Sequence, residues 1–200
     1  METLDLVSHV DGLCNRLKAA TAAAHNRVDL AIMAGRPFES RERYGLFLRV
    51  QHAFHRDIDA LYRDEALGRA LPGLPKRARL RLIEQDLDDL AIGEALSETT
   101  PVFEAGAQVD MPEAIGWLYV SEGSNLGAAF LLKAAAKLGL CESFGARHLA
   151  AAPEGRGRSW KTFATALDDL ALGLEETRRA ERAADAAFAH VSGLVARAFG

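Results

Sequence analysis

With 200 residues, about half apolar and a quarter charged, the chain suits a single helical domain with a substantial core. A net charge of −4 speaks against a general nucleic-acid binder, and Cys14 and Cys141 form neither a CxxC pair nor a disulfide framework, which points to a reducing, cytoplasmic setting. The opening METLDLVSHVDGL lacks the basic start and continuous apolar run of a secretory signal, and Trp117–Leu132 carries Glu122, Ser124 and Asn125, too many interruptions for a membrane span.

Residues 10–33 give the first amphipathic helix. Leu13, Leu17, Thr21, His25, Val28 and Ile32 recur at three- and four-residue spacing, which marks one helix face. His25 falls in that stripe among Ala22, Ala23 and Ala24. On spacing alone it is either a core histidine bonded to a carbonyl or a ligand.

A break at Gly35-Arg36-Pro37-Phe38 precedes Ser40, which suits the N-cap of a helix over 41–63. Its apolar face is Tyr44, Phe47, Leu48, Phe54, Ile58, Leu61 and Tyr62. His52 and His55 have the spacing of a metal pair, but the Glu-x-x-His unit of a carboxylate di-iron bundle occurs nowhere in the chain. The expectation is that His52 is exposed, that His55 is packed, and that neither binds metal.

A short helix over 64–70 stops at Leu71-Pro72-Gly73, and a further helix is expected over 75–91. Its basic run, Lys76, Arg77, Arg79 and Arg81, reads as a solvated face or, more weakly, as a docking patch for an acidic partner. Residues 93–111 read as a long loop.

The most apolar long stretch is 112–138, a helix with Pro112 in its first turn. Gly123 and Gly127 interrupt it, and each interior glycine costs roughly 1 kcal/mol relative to alanine. Two physical reasons offset that. Another helix can pack closely on the bare backbone, or a flat ligand can lie against it and bend the helix. After an irregular stretch, helices over 159–171 and 175–198 finish the chain, the last with Phe188, Val191, Leu194, Val195 and Ala198 inward. No strand-period segment or internal repeat occurs, so the fold class is all-α, one domain over 1–200.

Several of these segments together resemble the bacterial, biliverdin-producing haem oxygenases. They are LKAATAAAH, Arg36-Pro37-Phe38 leading to QHAFHRDIDALYRDEAL, then GWLYVSEGSNLGAAFLLKAAA and FGARHLA with WKTF following. Matches run from about residue 10 to about residue 190. The resemblance implies haem held between a proximal helix, with His25 as the iron ligand, and a kinked distal helix at Gly123–Gly127. One neutral imidazole leaves the sixth iron position open to O2. Asp29, one turn after His25, would accept a hydrogen bond from the imidazole and fix its tautomer; the family commonly has glutamate there. Lys18, two turns before His25 and displaced by about 10.5 Å of helix rise, would reach a propionate. Tyr119 would also contact haem.

Gly123, Ser124, Asn125 and Gly127 would line the catalytic distal side. Many members carry an aspartate just after the first distal glycine. Here Ser124 and then Asn125 follow it, so proton delivery would run through waters held by these two residues and by backbone carbonyls. The implied reaction uses haem, O2 and electrons from a ferredoxin or an NAD(P)H-dependent reductase, and yields biliverdin, mainly IXα, with CO and ferrous iron. A monomer or weak dimer is expected, with no nucleic-acid or membrane partner. The competing readings are a haem carrier or sensor on the same fold, and a helical interaction protein whose glycines form only a packing seam.

Overall fold

Apolar residues at helical spacing fold as helices along the chain, and a few capping side chains set where each one starts. The computed structural model describes residues 12–93 and 100–200. These form α1 (Leu13–Ala34), α2 (Arg41–Arg63), α3 (Glu65–Ala70), α4 (Leu80–Asp89), α5 (Met111–Ala135), α6 (Arg156–Asp168) and α7 (Leu174–Phe199). Short 3-10 turns lie at Leu74–Arg77, Ala136–Leu138 and Arg147–Leu149, and the described residues contain no strand. The all-α expectation holds. The expected first turn at residues 10 and 11, and residues 94–99 of the expected loop, lie outside the described residues.

Ser40 caps α2 by accepting from the Arg43 amide at 3.3 Å, and Asp64 separates α2 from α3 by accepting from the Leu67 amide at 2.8 Å. Asp110 caps α5 in the same way through the Glu113 amide, with Pro112 in the first turn. Each such cap contributes on the order of 1 kcal/mol. The helix expected over 75–91 starts late. Gly73 takes a left-handed φ of 81°, Pro75 sits in a 3-10 turn, and α-helix begins only at Leu80. The helix expected over 159–171 starts early, at Arg156, directly after Gly155 with φ 89°.

The C-terminal helix is the centre of the packing: α7 lies against α5, α1 and α2. Its small residues Ala180, Ala183, Ala184 and Ala187 are buried. They let α5 approach so closely at Gly116 that an added Cβ would stand 2.5 Å from the Ala180 carbonyl oxygen and 2.6 Å from the Ala184 nitrogen. On α1 the buried stripe is Leu13, Leu17, Thr21, Ala24 and Val28. The inward position assigned to His25 from spacing belongs instead to Ala24. A second apolar cluster joins α2 to α4 through Tyr44, Phe47, Leu48, Ile83 and Leu87, and the Tyr44 hydroxyl closes it by donating to the Gly145 carbonyl at 2.9 Å. Burying such large side chains contributes about 1.5–3 kcal/mol each. His52, expected to be exposed, is buried in α2.

Candidate functional site

α1 and α5 meet where the Tyr119 phenol lies beside Thr21 and Cys14; burial foremost, then the Cys14 charge, pushes its pKa to about 12. One turn further along each helix stand His25 and Gly123. The His25 side chain is 56% exposed. One side of the ring rests on Phe188 of α7, with centroids 5.6 Å apart, and among the described residues no carbonyl is bonded to it. Its Nε2 lies 3.3 Å from Asp29 Oδ2, longer than an ordinary hydrogen bond. The imidazole is therefore not a core histidine. It projects from the helix beside a short carboxylate.

The glycines of α5 divide by environment. Gly116 is the packing seam against α7. Among the described residues, a Cβ on Gly123 would touch only the Trp160 ring, at 3.8 Å, and one on Gly127 would meet nothing within 4 Å. Helix–helix packing thus explains Gly116 and leaves Gly123 and Gly127 unexplained. Phe130, about 20° around α5 from Gly123, and Met33, about 80° around α1 from His25, stand exposed. Uncovered apolar surface of this kind beside bare backbone and an exposed imidazole fits a flat apolar disc carrying a metal at its centre.

The other expected site residues are distributed as follows. Lys18 is exposed on α1, with no ion pair among the described residues. Ser124 uses its hydroxyl hydrogen on the Ser121 carbonyl at 2.7 Å, which leaves only its lone pairs for a water. Asn125 lies about 200° around the helix from Gly123. It lines a different cleft, and its carbonyl accepts from Arg156 Nη1 at 3.2 Å. Hydrogen-bonded α-helix runs through both glycines from Met111 to Ala135.

Residues 11–197 match the Heme oxygenase family model. The chain belongs to the haem oxygenase family. It is 44% identical to the heme oxygenase PigA of Pseudomonas aeruginosa over 184 residues, covering 92% of this chain and 91% of that one. Among solved structures it resembles the heme oxygenase from Neisseria meningitidis, described in NO- and CO-bound forms, with a TM-score of 0.88 and 42% identity over 94% of this chain and 92% of that one. A heme oxygenase-1 from the cyanobacterium Synechocystis, solved with heme, shares the fold at a TM-score of 0.69 and 13% identity, over 93% of this chain and 91% of that one. The protein is thus an oxidoreductase that cleaves haem. No helix among the described residues is long and apolar enough to cross a membrane.

Behind the glycine face, α5 is fastened by a polar network that sequence reasoning missed. Glu122, immediately before Gly123, is only 4% exposed. It accepts from the Tyr62 hydroxyl at 2.9 Å and from Arg77 Nη1 at 2.8 Å, while Arg77 also donates to Ser159 Oγ and the Ser159 carbonyl, both at 3.0 Å. Burial pushes the Glu122 carboxyl up, opposed by Arg77. The basic run is therefore not one solvated face. Lys76 and Arg81 are exposed, but Arg77 and Arg79 turn partly inward. The signal available was Glu122 itself, a carboxylate in the most apolar stretch of the chain, which requires a buried cation.

A second buried group joins α2, α4 and the 3-10 turn Arg147–Leu149. Asp86 is fully buried and accepts from His148 Nδ1 at 2.8 Å and from the Arg147 and His148 amides. His148 Nε2 and His55 Nδ1 are buried without a hydrogen-bond partner among the described residues. Burial foremost, then the charges of His148, Arg79 and His52, pushes the His55 pKa down to about 3.

Proposed function

We propose that this protein degrades haem with O2 and electrons from a ferredoxin or an NAD(P)H-dependent reductase, in the cytoplasm, as one domain acting as a monomer or weak dimer. The products would be biliverdin, mainly the IXα isomer, CO and ferrous iron. The observation that carries this reading is the exposed His25 imidazole, backed by Phe188 and set one turn beyond the Tyr119–Thr21 meeting of α1 and α5.

Haem, when bound, supplies the iron at which O2 is reduced and the macrocycle that is cut. The chain's own residues bind and orient. His25 gives one imidazole. Asp29 holds its other nitrogen as a donor, which sets the tautomer and raises the basicity. Because Nε2 is the nitrogen turned toward Asp29, ligation through Nε2 requires the ring to turn and offer Nδ1–H to the carboxylate. Lys18 and Tyr119 bind at the carboxylate edge. Gly123 and Gly127 present bare backbone to the other face. Ser124 accepts from water without returning its own hydrogen, and Asn125 acts through the Arg156-bound carbonyl that fixes this turn of α5.

The test is aerobic turnover of the haem-loaded protein with ascorbate or a ferredoxin system. Loss of the Soret band with growth of verdohaem and biliverdin bands is expected. A stable Soret band under O2 and reductant would instead identify a haem carrier or sensor.

A further inference from the structure

We propose that the cleft between the 3-10 turn Leu74–Arg77, α5 and the start of α6 is a second binding site, taking a small organic carboxylate. It lies on the Asn125 side of α5, about 200° around the helix from Gly123, and the Trp160 ring that walls it also borders Gly123, 3.8 Å from a Cβ placed there. Its volume, about 610 Å³, lies within the range of small-molecule pockets.

Charge is the first argument. Lys76, Arg77, Arg79 and Arg156 line the cleft, against only Glu122 and Glu154. Arg77 is neutralised by Glu122 at 2.8 Å. The other two guanidinium groups are not. Arg156 donates to the carbonyls of Asn125 and Leu149, and Arg79 Nη1 donates to those of His148 and Ala150. Carbonyls fix the geometry of a guanidinium without cancelling its charge. Among the described residues exposed Lys76 has no ion pair, and Arg79 hydrogen-bonds through Nη1, its Nε being buried. A protein of net charge −4 therefore gathers uncompensated positive charge at one concave place. Burial pulls the Arg79 pKa down, and Arg156 and Arg77 add to this against Glu122 and Tyr62. An anion in the cleft relieves that repulsion, and exposed Lys76 offers it a charge-assisted hydrogen bond.

The walls give the second argument. Leu82, Leu126, Pro153 and the Trp160 ring surround the cations with apolar surface. A bare inorganic anion leaves such walls wet, whereas a carboxylate on a flat apolar body covers them. Two sources supply that chemistry: the linear tetrapyrrole dicarboxylate that haem cleavage yields, and a free aromatic or aliphatic acid.

The test is isothermal titration of the haem-loaded protein with 2-naphthoate, acetate and inorganic phosphate. Saturable one-to-one binding of naphthoate, tighter than acetate or phosphate, is expected. Lys76→Ala and Arg79→Gln should each weaken it about tenfold, the loss of one charge-assisted hydrogen bond. Lys76 is exposed, so its variant reports even if Arg79→Gln fails to fold. Arg81→Ala, an exposed arginine outside the cleft, should leave binding unchanged. Absence of saturable heat at millimolar naphthoate overturns the proposal. So does equal weakening by Arg81→Ala, which would mean diffuse charge attraction, or phosphate binding as tightly as naphthoate. Competition by biliverdin would support the site and identify its own product as the source; binding without competition would support the site and identify a free acid.

Discussion

Gly116 of α5 lies so close to Ala180 of α7 that a methyl group there would stand 2.5 Å from the Ala180 carbonyl oxygen, while one on Gly127 would meet nothing within 4 Å among the described residues. Two glycines of one helix thus have opposite reasons. Gly116→Ala should lower stability by about 1–3 kcal/mol, because backbone must shift to admit the methyl. Gly127→Ala should raise it by up to about 1 kcal/mol through helix propensity. Thermal unfolding without haem checks both signs. Gly127→Leu should likewise fold, yet lose haem binding in a Soret titration. A Gly127→Leu protein that binds and cleaves haem normally would show that this bare backbone does not face the ligand.

His25 stands outside the buried stripe of α1, so His25→Ala should stay within about 0.5 kcal/mol of wild-type stability, as surface changes do. Its haem complex should lose the histidine-ligated spectrum and nearly all turnover, and added imidazole should restore part of both. A normal ferric spectrum would reject His25 as the ligand.

The helices and their order were legible because they depend on local periodicity and on caps such as Ser40. The site was legible in part. His25 and the two glycines carry a pattern, but spacing placed His25 inside the stripe, a one-position error in a helix where Ala24 takes the buried place. The pairing of Glu122 with Arg77 spans 45 residues, and no local pattern encodes a contact of that range. His52 was misplaced as well: it is buried although it lies off the apolar periodicity of α2.

That pairing has a measurable sign. Arg77→Met leaves the Glu122 carboxylate buried without its cation, which should cost about 3–5 kcal/mol. Arg77→Met combined with Glu122→Leu should recover much of that loss. A urea-unfolding double-mutant cycle measures the coupling, and additive effects would mean that the pair does not hold α5.

Acid should destabilise the fold before its carboxylates titrate. The folded His55 pKa is about 3 against an ordinary 6.5, so between those values the unfolded chain binds the extra proton. Its contribution is complete above pH 6.5 and is lost as pH falls toward 3, with a slope approaching about 1.4 kcal/mol per pH unit. His148 is lowered by burial too, against Asp86, and adds in the same direction. Glu122, raised by burial, opposes it. Asp57 and Asp89, both lowered, lose their contributions only at more acid pH. Urea unfolding between pH 7 and 4 should therefore show a shallower loss in His55→Leu than in wild type, and identical slopes would reject a neutral buried His55.

The meso carbon attacked depends on how haem is rotated in its plane, which the propionate anchors set. Lys18 is exposed on α1, without an ion pair among the described residues, and is free to reach a propionate. Met33 of α1 and Ala134 of α5, on the neighbouring helices, offer no cation as a second anchor. A single ion pair at an exposed edge contributes about 0.2–1 kcal/mol, a factor of about 1.5–5 between orientations. Lys18 should therefore bias the rotation without locking it. Biliverdin IXα should dominate, accompanied by a minor second isomer, and Lys18→Ala should broaden the mixture while turnover continues. Chromatography of the extracted products decides the matter: a dominant β or δ isomer from the wild-type protein would mean that haem is seated in another rotation and that Lys18 is not its anchor.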